Sequence, residues 1–320
     1  MSFDTLKLPE RIRLETCTLC QLSCPGCAFG RGEYCNFGAG YLKYEDFEKF
    51  VQMNPFVKIV ELVSHGEIFL NPDLQKIIEF AYSKDVSLTA WHGVNFNDVE
   101  DGAIESMVKY DFKGMCINLD GTSQETYEKY RRNGKFPPMI SNVKSLCEYK
   151  RKYSSAWPQL ILSYVIFEHN SSREELRRAK QIAEELCIDL YFRKDLLGYI
   201  PEDIEMIREE TGLVYERVIP KYTDAFLRPQ FLPCTILWEA PVINYDGRFL
   251  GCHLNDVGIA DLNVFDLGLK ECLEAPIVQN MKKMLMGGEL SEDAPCCLCW
   301  NYRSLVWNDA FITAEEVSFQ

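Results

Sequence analysis

The chain has 320 residues, 47% of them hydrophobic, and its 34 basic against 48 acidic side chains leave a net charge of −14. That apolar share can build a core, which excludes a disordered chain, and the negative charge repels phosphate backbones, which sets nucleic acid aside as a partner. The length suits one large domain plus a small one.

The N-terminal stretch MSFDTLKLPERIRLE lacks the apolar core and small-residue cleavage site of a signal peptide. No uncharged run approaches the roughly 18 residues needed to cross a bilayer. A soluble, cytoplasmic protein with no membrane partner is therefore expected. Thiols stay reduced in that compartment, so the 14 cysteines point to metal or redox chemistry.

From Arg11 to about Lys194, short apolar runs alternate with amphipathic stretches. RIRLETC precedes the helical YEDFEKFVQM, VKIVELV precedes DLQKIIEFAYSK, and VSLTAWH precedes VEDGAIESMVKY. GMCINLD is followed by SQETYEKYR and NVKSLCEYKRKY, QLILSYVIF by SREELRRAKQIAEEL, and IDLYFRK closes the series. Such alternation predicts parallel strands with right-handed crossovers. The series is shorter than a closed eight-stranded barrel, so the expected fold class is α/β, a partial (β/α)6 TIM-like barrel. A doubly wound open sheet gives the same string.

Strand parity adds a polar lumen. Cys116, Asn118 and Asp120 share one face of their strand, Arg13, Glu15 and Cys17 one face of theirs, and Asp189, Tyr191 and Arg193 one face of theirs. Glu15, Tyr191 and Arg193 are the candidates for handling a catalytic proton.

After Lys194 the pattern changes. PEDIEMIREETGLVYERVIPKY reads as a charged helical bridge over 196–230, and a second, small, cysteine-rich domain is expected over 231–320, behind a barrel domain at 1–195. Within it PVINYDGRFLGC reads as a hairpin turning at Asp246-Gly247.

CTLCQLSCPGC, residues 17–27, raises the question of which metal it serves. Zinc knuckles separate two Cys-x2-Cys pairs by some 15 to 20 residues; here the pairs are too close for that geometry. Cys17 is read as the last residue of the first strand and as the spare thiol, leaving Cys20-x3-Cys24-x2-Cys27 in the loop behind it.

That motif, behind the first strand of such a series, resembles the radical S-adenosylmethionine (SAM) enzymes. The resemblance implies that Cys20, Cys24 and Cys27 hold three irons of a [4Fe-4S] cluster whose fourth iron is chelated by SAM. It further implies cleavage of SAM to a 5′-deoxyadenosyl radical that abstracts a substrate hydrogen, with a flavodoxin- or ferredoxin-type electron donor. In this family a Gly-Gly-Glu-Pro-like turn after strand two receives the SAM amino group. This chain has SHGEIFLNP, residues 64–72, with His65 for the first glycine and Ile68 for the proline. Gly66 is expected to let the backbone approach the ligand and Glu67 to accept from the ammonium. Gly26 stands where the family has an aromatic residue, and Phe29 is the candidate to supply that packing. Asp120 and Ser163 are the candidates for the ribose.

Cys234, Gly247, Cys252 and the pair Cys296-x2-Cys299 resemble the twitch form of the SPASM extension, which implies a second, fully ligated [4Fe-4S] cluster. A zinc ribbon shares this donor pattern, and Cys297 stands beside Cys296 as an alternative ligand. The layout resembles the twitch-bearing dehydrogenases of aminocyclitol biosynthesis. The reaction implied is oxidation of a sugar-like or other small polar substrate: hydrogen abstraction, deprotonation, and loss of one electron to the second cluster.

A peptide-modifying enzyme, crosslinking or epimerising, is the alternative. Such maturases often carry a leader-binding domain, and a strand beginning by Arg11 is expected to leave no room for one. A non-catalytic electron carrier would leave SHGE unexplained. Of the other cysteines, Cys147, Cys187 and Cys272 read as helical packing residues, and Cys35 and Cys116 as candidate hydrogen-atom donors.

Overall fold

The structure is a computed structural model that describes residues 8–195, 198–215, 234–259 and 261–318. Each apolar run from Arg11 onward forms a strand: β1 (Arg11–Leu14), β2 (Ile59–Glu61), β3 (Ser87–Val94), β4 (Gly114–Asn118), β5 (Gln159–Ile166) and β6 (Asp189–Lys194). Between them run α1 (Tyr44–Met53), α2 (Leu74–Ser83), α3 (Asp101–Lys109), α4 (Gln124–Tyr130), α5 (Phe136–Lys152) and α6 (Arg173–Leu186). β1 to β6 pair in chain order and all in parallel, which is the partial (β/α)6 barrel.

Local chemistry sets the helix ends. Ser172 accepts from the Glu175 N–H at the start of α6, whose Leu176, Ala179, Ile182 and Ala183 fall on one buried stripe. Ser123 and Thr126 form a reciprocal cap on α4. α5 begins six residues ahead of the expected NVKSLCEYKRKY segment, because Pro137 and Pro138 occupy its first turn, where no intrahelical N–H is required. Cys187 lies past the end of α6 in the left-handed conformation and is exposed, so it does not pack as a helical residue. Cys147 in α5 is partly buried and Cys272 is fully buried, as expected.

β7 (Val242–Ile243) adds in parallel to the free edge of β1, and β8 (Phe249–Gly251) returns antiparallel beside it. The sheet order among the described residues is therefore β6-β5-β4-β3-β2-β1-β7-β8. The expected hairpin is this pair. Of the expected bridge, α7 (Ile204–Thr211) is helical and its Glu210 is held by Arg173, Arg177 and Lys180 of α6. Residues 216–233, including the expected boundary near Phe231, lie outside the described residues. No helix among the described residues is long and apolar enough to cross a membrane.

β1 is shorter than RIRLETC. Beyond Leu14 the two-sided pairing runs on briefly: Arg13 donates to Pro241 O and Glu15 to Ile243 O on one side, Thr16 to Leu62 O on the other, and Thr18 then turns to Gly40 O. Cys17 forms an isolated bridge with Tyr41. The chain leaves the sheet at Cys17 and Thr18, which turn to Tyr41 and Gly40, and opens into the cysteine loop.

Candidate functional site

Cys20, Cys24 and Cys27 lie in the loop leaving β1 and form no disulfide. The loop is closed by Cys27 N–H donating to Cys24 O at 3.1 Å and Arg31 N–H to Cys27 O at 3.1 Å. Cys17 is fully buried, and its thiol donates to Leu19 O at 3.8 Å. Cys17→Ala is therefore expected to leave the iron content of the reconstituted chain unchanged; loss of half the iron would make it a ligand.

Burial pushes both Cys17 and Cys20 up to about 12, so the polypeptide alone does not ionise them. Cys17 keeps its proton, and Cys20 would lose its own only on binding a metal. Among the described residues no group of three or more His, Cys, Asp or Glu side chains is placed to hold a single metal ion. In the Cys20 loop each sulfur has its own N–H donor: Asn95 Nδ2 on Cys20 at 3.7 Å, Arg131 Nη1 on Cys24 at 3.9 Å, and Gly30 N on Cys27 at 3.4 Å. An all-thiol set of this kind fits a four-iron cube, whose sulfur ligands are spread over its corners.

SHGE follows β2 and is sutured to this loop. Glu67 N–H donates to Leu19 O at 2.9 Å. A Cβ on Gly66 would stand 2.0 Å from Cys17 O, so only glycine allows the two backbones to touch. The expected role of Gly66, approach to a ligand, is thus at least shared with contact to the Cys17–Thr18 peptide. Glu67 is 1% exposed and accepts the Asn95 N–H at 2.6 Å, while burial raises its carboxyl to about 7. His65, in place of a glycine, stacks on Phe29 at 4.6 Å between ring centroids, and burial pulls it down to about 4. The residue replacing glycine has therefore found its partner in the aromatic side chain expected near this site.

Asp120 and Ser163 are both buried. Both Asp120 oxygens are engaged: Oδ2 accepts from Arg131 Nε at 2.6 Å and also pairs with Nη2, while Oδ1 accepts the Val165 N–H at 2.7 Å. Ser163 is the paired neighbour of Asn118 across β4 and β5. Cys116 is buried in the same strand pair, and the Cys35 side chain lies outside the described residues.

The structure separates the proton-handling candidates. Glu15 is 1% exposed; the N–H groups of Ser64, His65, Gly66 and Cys17 face its carboxyl, yet neither oxygen has a well-formed hydrogen bond. Burial raises it to about 8. It lies against the backbone of the SHGE turn. Tyr191 is 67% exposed on β6, the uncovered edge strand, with Arg193 exposed beside it.

A different pair faces a cavity of about 530 Å³ that runs from Leu8–Arg11 at the start of β1 past Arg13, Glu61, Thr89 and His92 to Trp238. Glu61 Oε1 lies 3.0 Å from His92 Nδ1, and Oε2 accepts the Thr89 hydroxyl at 2.6 Å. A β-bulge makes this possible: the β3–β4 register shifts between Ala90 and Val94, and Gly93 takes φ +108° inside it. A glycine inside a strand pattern was the available signal for this turn of the backbone. Sequence reading passed over Glu61, His92, Asn95 and Arg131, none of which belongs to a motif.

Cys234, Cys252, Cys296 and Cys299 line one cavity of about 890 Å³, with Cys297 also at its wall. Cys234 precedes the short helix Ile236–Glu239, Cys252 follows β8, Cys296 lies within the turn Pro295–Leu298 and Cys299 follows it. The Cys297 thiol donates to Glu292 O at 3.4 Å, which turns it to another use. Arg13 lines both this cavity and the one that His92 faces.

No family model matches the chain, and no curated protein matches it. Solved structures do. Streptococcus suis SuiB bound to S-adenosylmethionine aligns at TM-score 0.62 and 15% identity, over 92% of this chain and 72% of that one. SuiB bound to its precursor peptide SuiA aligns at 0.60 and 13%, over 92% and 70%. The protein anSMEcpe with bound AdoMet aligns at 0.54 and 15%, over 91% and 87%. At such identities the likeness is one of fold, and it covers nine-tenths of the chain: this chain has the fold of SuiB and anSMEcpe, both solved with S-adenosylmethionine bound.

Proposed function

We propose that the chain is a radical SAM oxidoreductase with two [4Fe-4S] clusters, acting on a small polar, sugar-like substrate. The observation that carries this reading is the suture between Cys20-x3-Cys24-x2-Cys27 and the Gly66-Glu67 turn, through Leu19 O and the Cys17–Thr18 peptide. It places a buried carboxylate beside a three-thiol loop, which suits a ligand with both a metal-chelating end and an ammonium. When bound, the first cluster with SAM supplies hydrogen-atom abstraction and the second cluster supplies an electron acceptor. Residues 1–195 would do the former and 231–320 the latter, with reducing equivalents from a flavodoxin- or ferredoxin-type protein.

Within that scheme His92 takes the substrate proton. Glu61 binds Nδ1, which leaves Nε2 for the cavity. Removing a general base of this kind costs about 10²- to 10⁴-fold in rate. His92→Gln is expected to lose product formation by that factor while keeping SAM binding and the slow, substrate-free release of 5′-deoxyadenosine. A variant with full turnover would remove His92 from the reaction.

The test of the reading itself is anaerobic reconstitution followed by dithionite and SAM. Release of 5′-deoxyadenosine is expected; a chain that loads iron yet neither binds SAM nor releases this product overturns it. A peptide substrate is the second reading, favoured by the alignment with SuiB, whose structure holds its precursor peptide. Mass spectrometry separates the two: loss of two hydrogens from a polyol or amino-polyol supports the first, and a modified peptide the second.

A further inference from the structure

The three cysteines of the first loop share an arrangement that loading with iron alone does not explain. Each sulfur faces one N–H donor, and the three donors come from three places: Asn95 just past β3, Arg131 just past α4, and Gly30 within the loop. Only Arg131 brings a charge. Its guanidinium is held by the fully buried Asp120 through Nε and Nη2, and Asp120 is fixed in turn by the Val165 N–H at 2.7 Å. Asn170 Nδ2 donates to Asp120 O at 3.0 Å, locking the backbone of the same residue. Arg131 is thus aimed at Cys24 by a chain of contacts in which every member is placed by another.

A cluster gains one negative charge on reduction. Hydrogen bonds and positive charge at its sulfurs stabilise the reduced form and raise the potential. A charged donor in a dry site outweighs a neutral amide at similar distance. We propose that Arg131 sets the reduction potential of the cluster held by Cys20, Cys24 and Cys27 by donating to the Cys24 sulfur, with Asp120 as its positioning residue. This rests on the reading of those cysteines as cluster ligands.

The test is a redox titration of the full, anaerobically reconstituted chain, followed by the electron paramagnetic resonance signal that changes when SAM is added. Arg131→Gln is expected to lower the reduced fraction at fixed potential about tenfold, a shift of roughly 59 mV for one electron. Arg131→Lys keeps the charge but not the fork, and is expected to fall between, at about threefold. The Gln variant leaves Asp120 buried without its cation. If it fails to load iron, the Lys variant decides alone, because it keeps the pair charged. A loaded variant of either kind with the wild-type potential overturns the proposal. A wild-type chain with no SAM-sensitive signal would instead overturn the ligand reading beneath it.

Discussion

Replacing Cys20, Cys24 and Cys27 together by Ala is expected to halve the iron of the anaerobically reconstituted chain, from about eight to about four per chain. The other half should remain, because Cys234, Cys252, Cys296 and Cys299 surround a cavity of their own. Release of 5′-deoxyadenosine should fall to background, since the proposed reduction of SAM needs the first cluster. Iron measured by chelation and SAM cleavage measured by chromatography check the two halves separately. Unchanged iron would remove the three cysteines from the ligand set. Loss of all the iron would mean that the two sets depend on one another for folding.

Glu67→Gln carries the next largest effect. In the proposed site its carboxylate receives the SAM ammonium, and a hydrogen bond to a charged group is worth about 1.5 to 3 kcal/mol, roughly ten- to a hundredfold in affinity. Both clusters should load, because Glu67 touches the loop only through its backbone N–H, which the variant keeps. The pH dependence has a definite sign. Burial raises the unliganded carboxyl to about 7, so below that pH it keeps its proton and cannot receive an ammonium as an anion. SAM affinity should therefore rise with pH up to about 7 and level off above it, and in Glu67→Gln this rise should vanish. Equilibrium binding of SAM at several pH values checks it. Wild-type affinity in the variant would reduce SHGE to a structural turn.

How far the sequence reaches is visible in particular residues. The strands of the barrel were legible because apolar runs and amphipathic stretches alternate from Arg11 to Lys194, and the structure pairs them in that order. The cysteines were legible because their spacing is local. Glu15 keeps the alternation it shares with Arg13, since the two donate to Pro241 O and Ile243 O, but parity could not show that the Ser64–Gly66 backbone faces its carboxyl. Tyr191 shares its face with its cross-strand partner Ser163, as alternation gives, but alternation does not say how open that face is. Asn95, Arg131, Glu61 and His92 were missed because each acquires its role from a neighbour far along the chain. Arg131 meets Cys24 only once α4 has folded back over the barrel mouth, and His92 meets Glu61 only because β3 carries a bulge.

The attachment of β7 to β1 has a consequence for how the chain is made. Arg13 pairs with Val242 and Leu14 with Ile243, so one edge of β1 waits through the synthesis of roughly 230 residues for its partner. Until then β1 presents an unpaired parallel edge, the kind of surface that recruits other chains. Pairing at such separation is slow, because the loop must close before any contact rewards it. A nascent chain stalled before Val242 would be sticky at the strand from which the cysteine loop leaves. Slowing translation late in the message, before Val242, should therefore raise aggregation more than the same delay placed early.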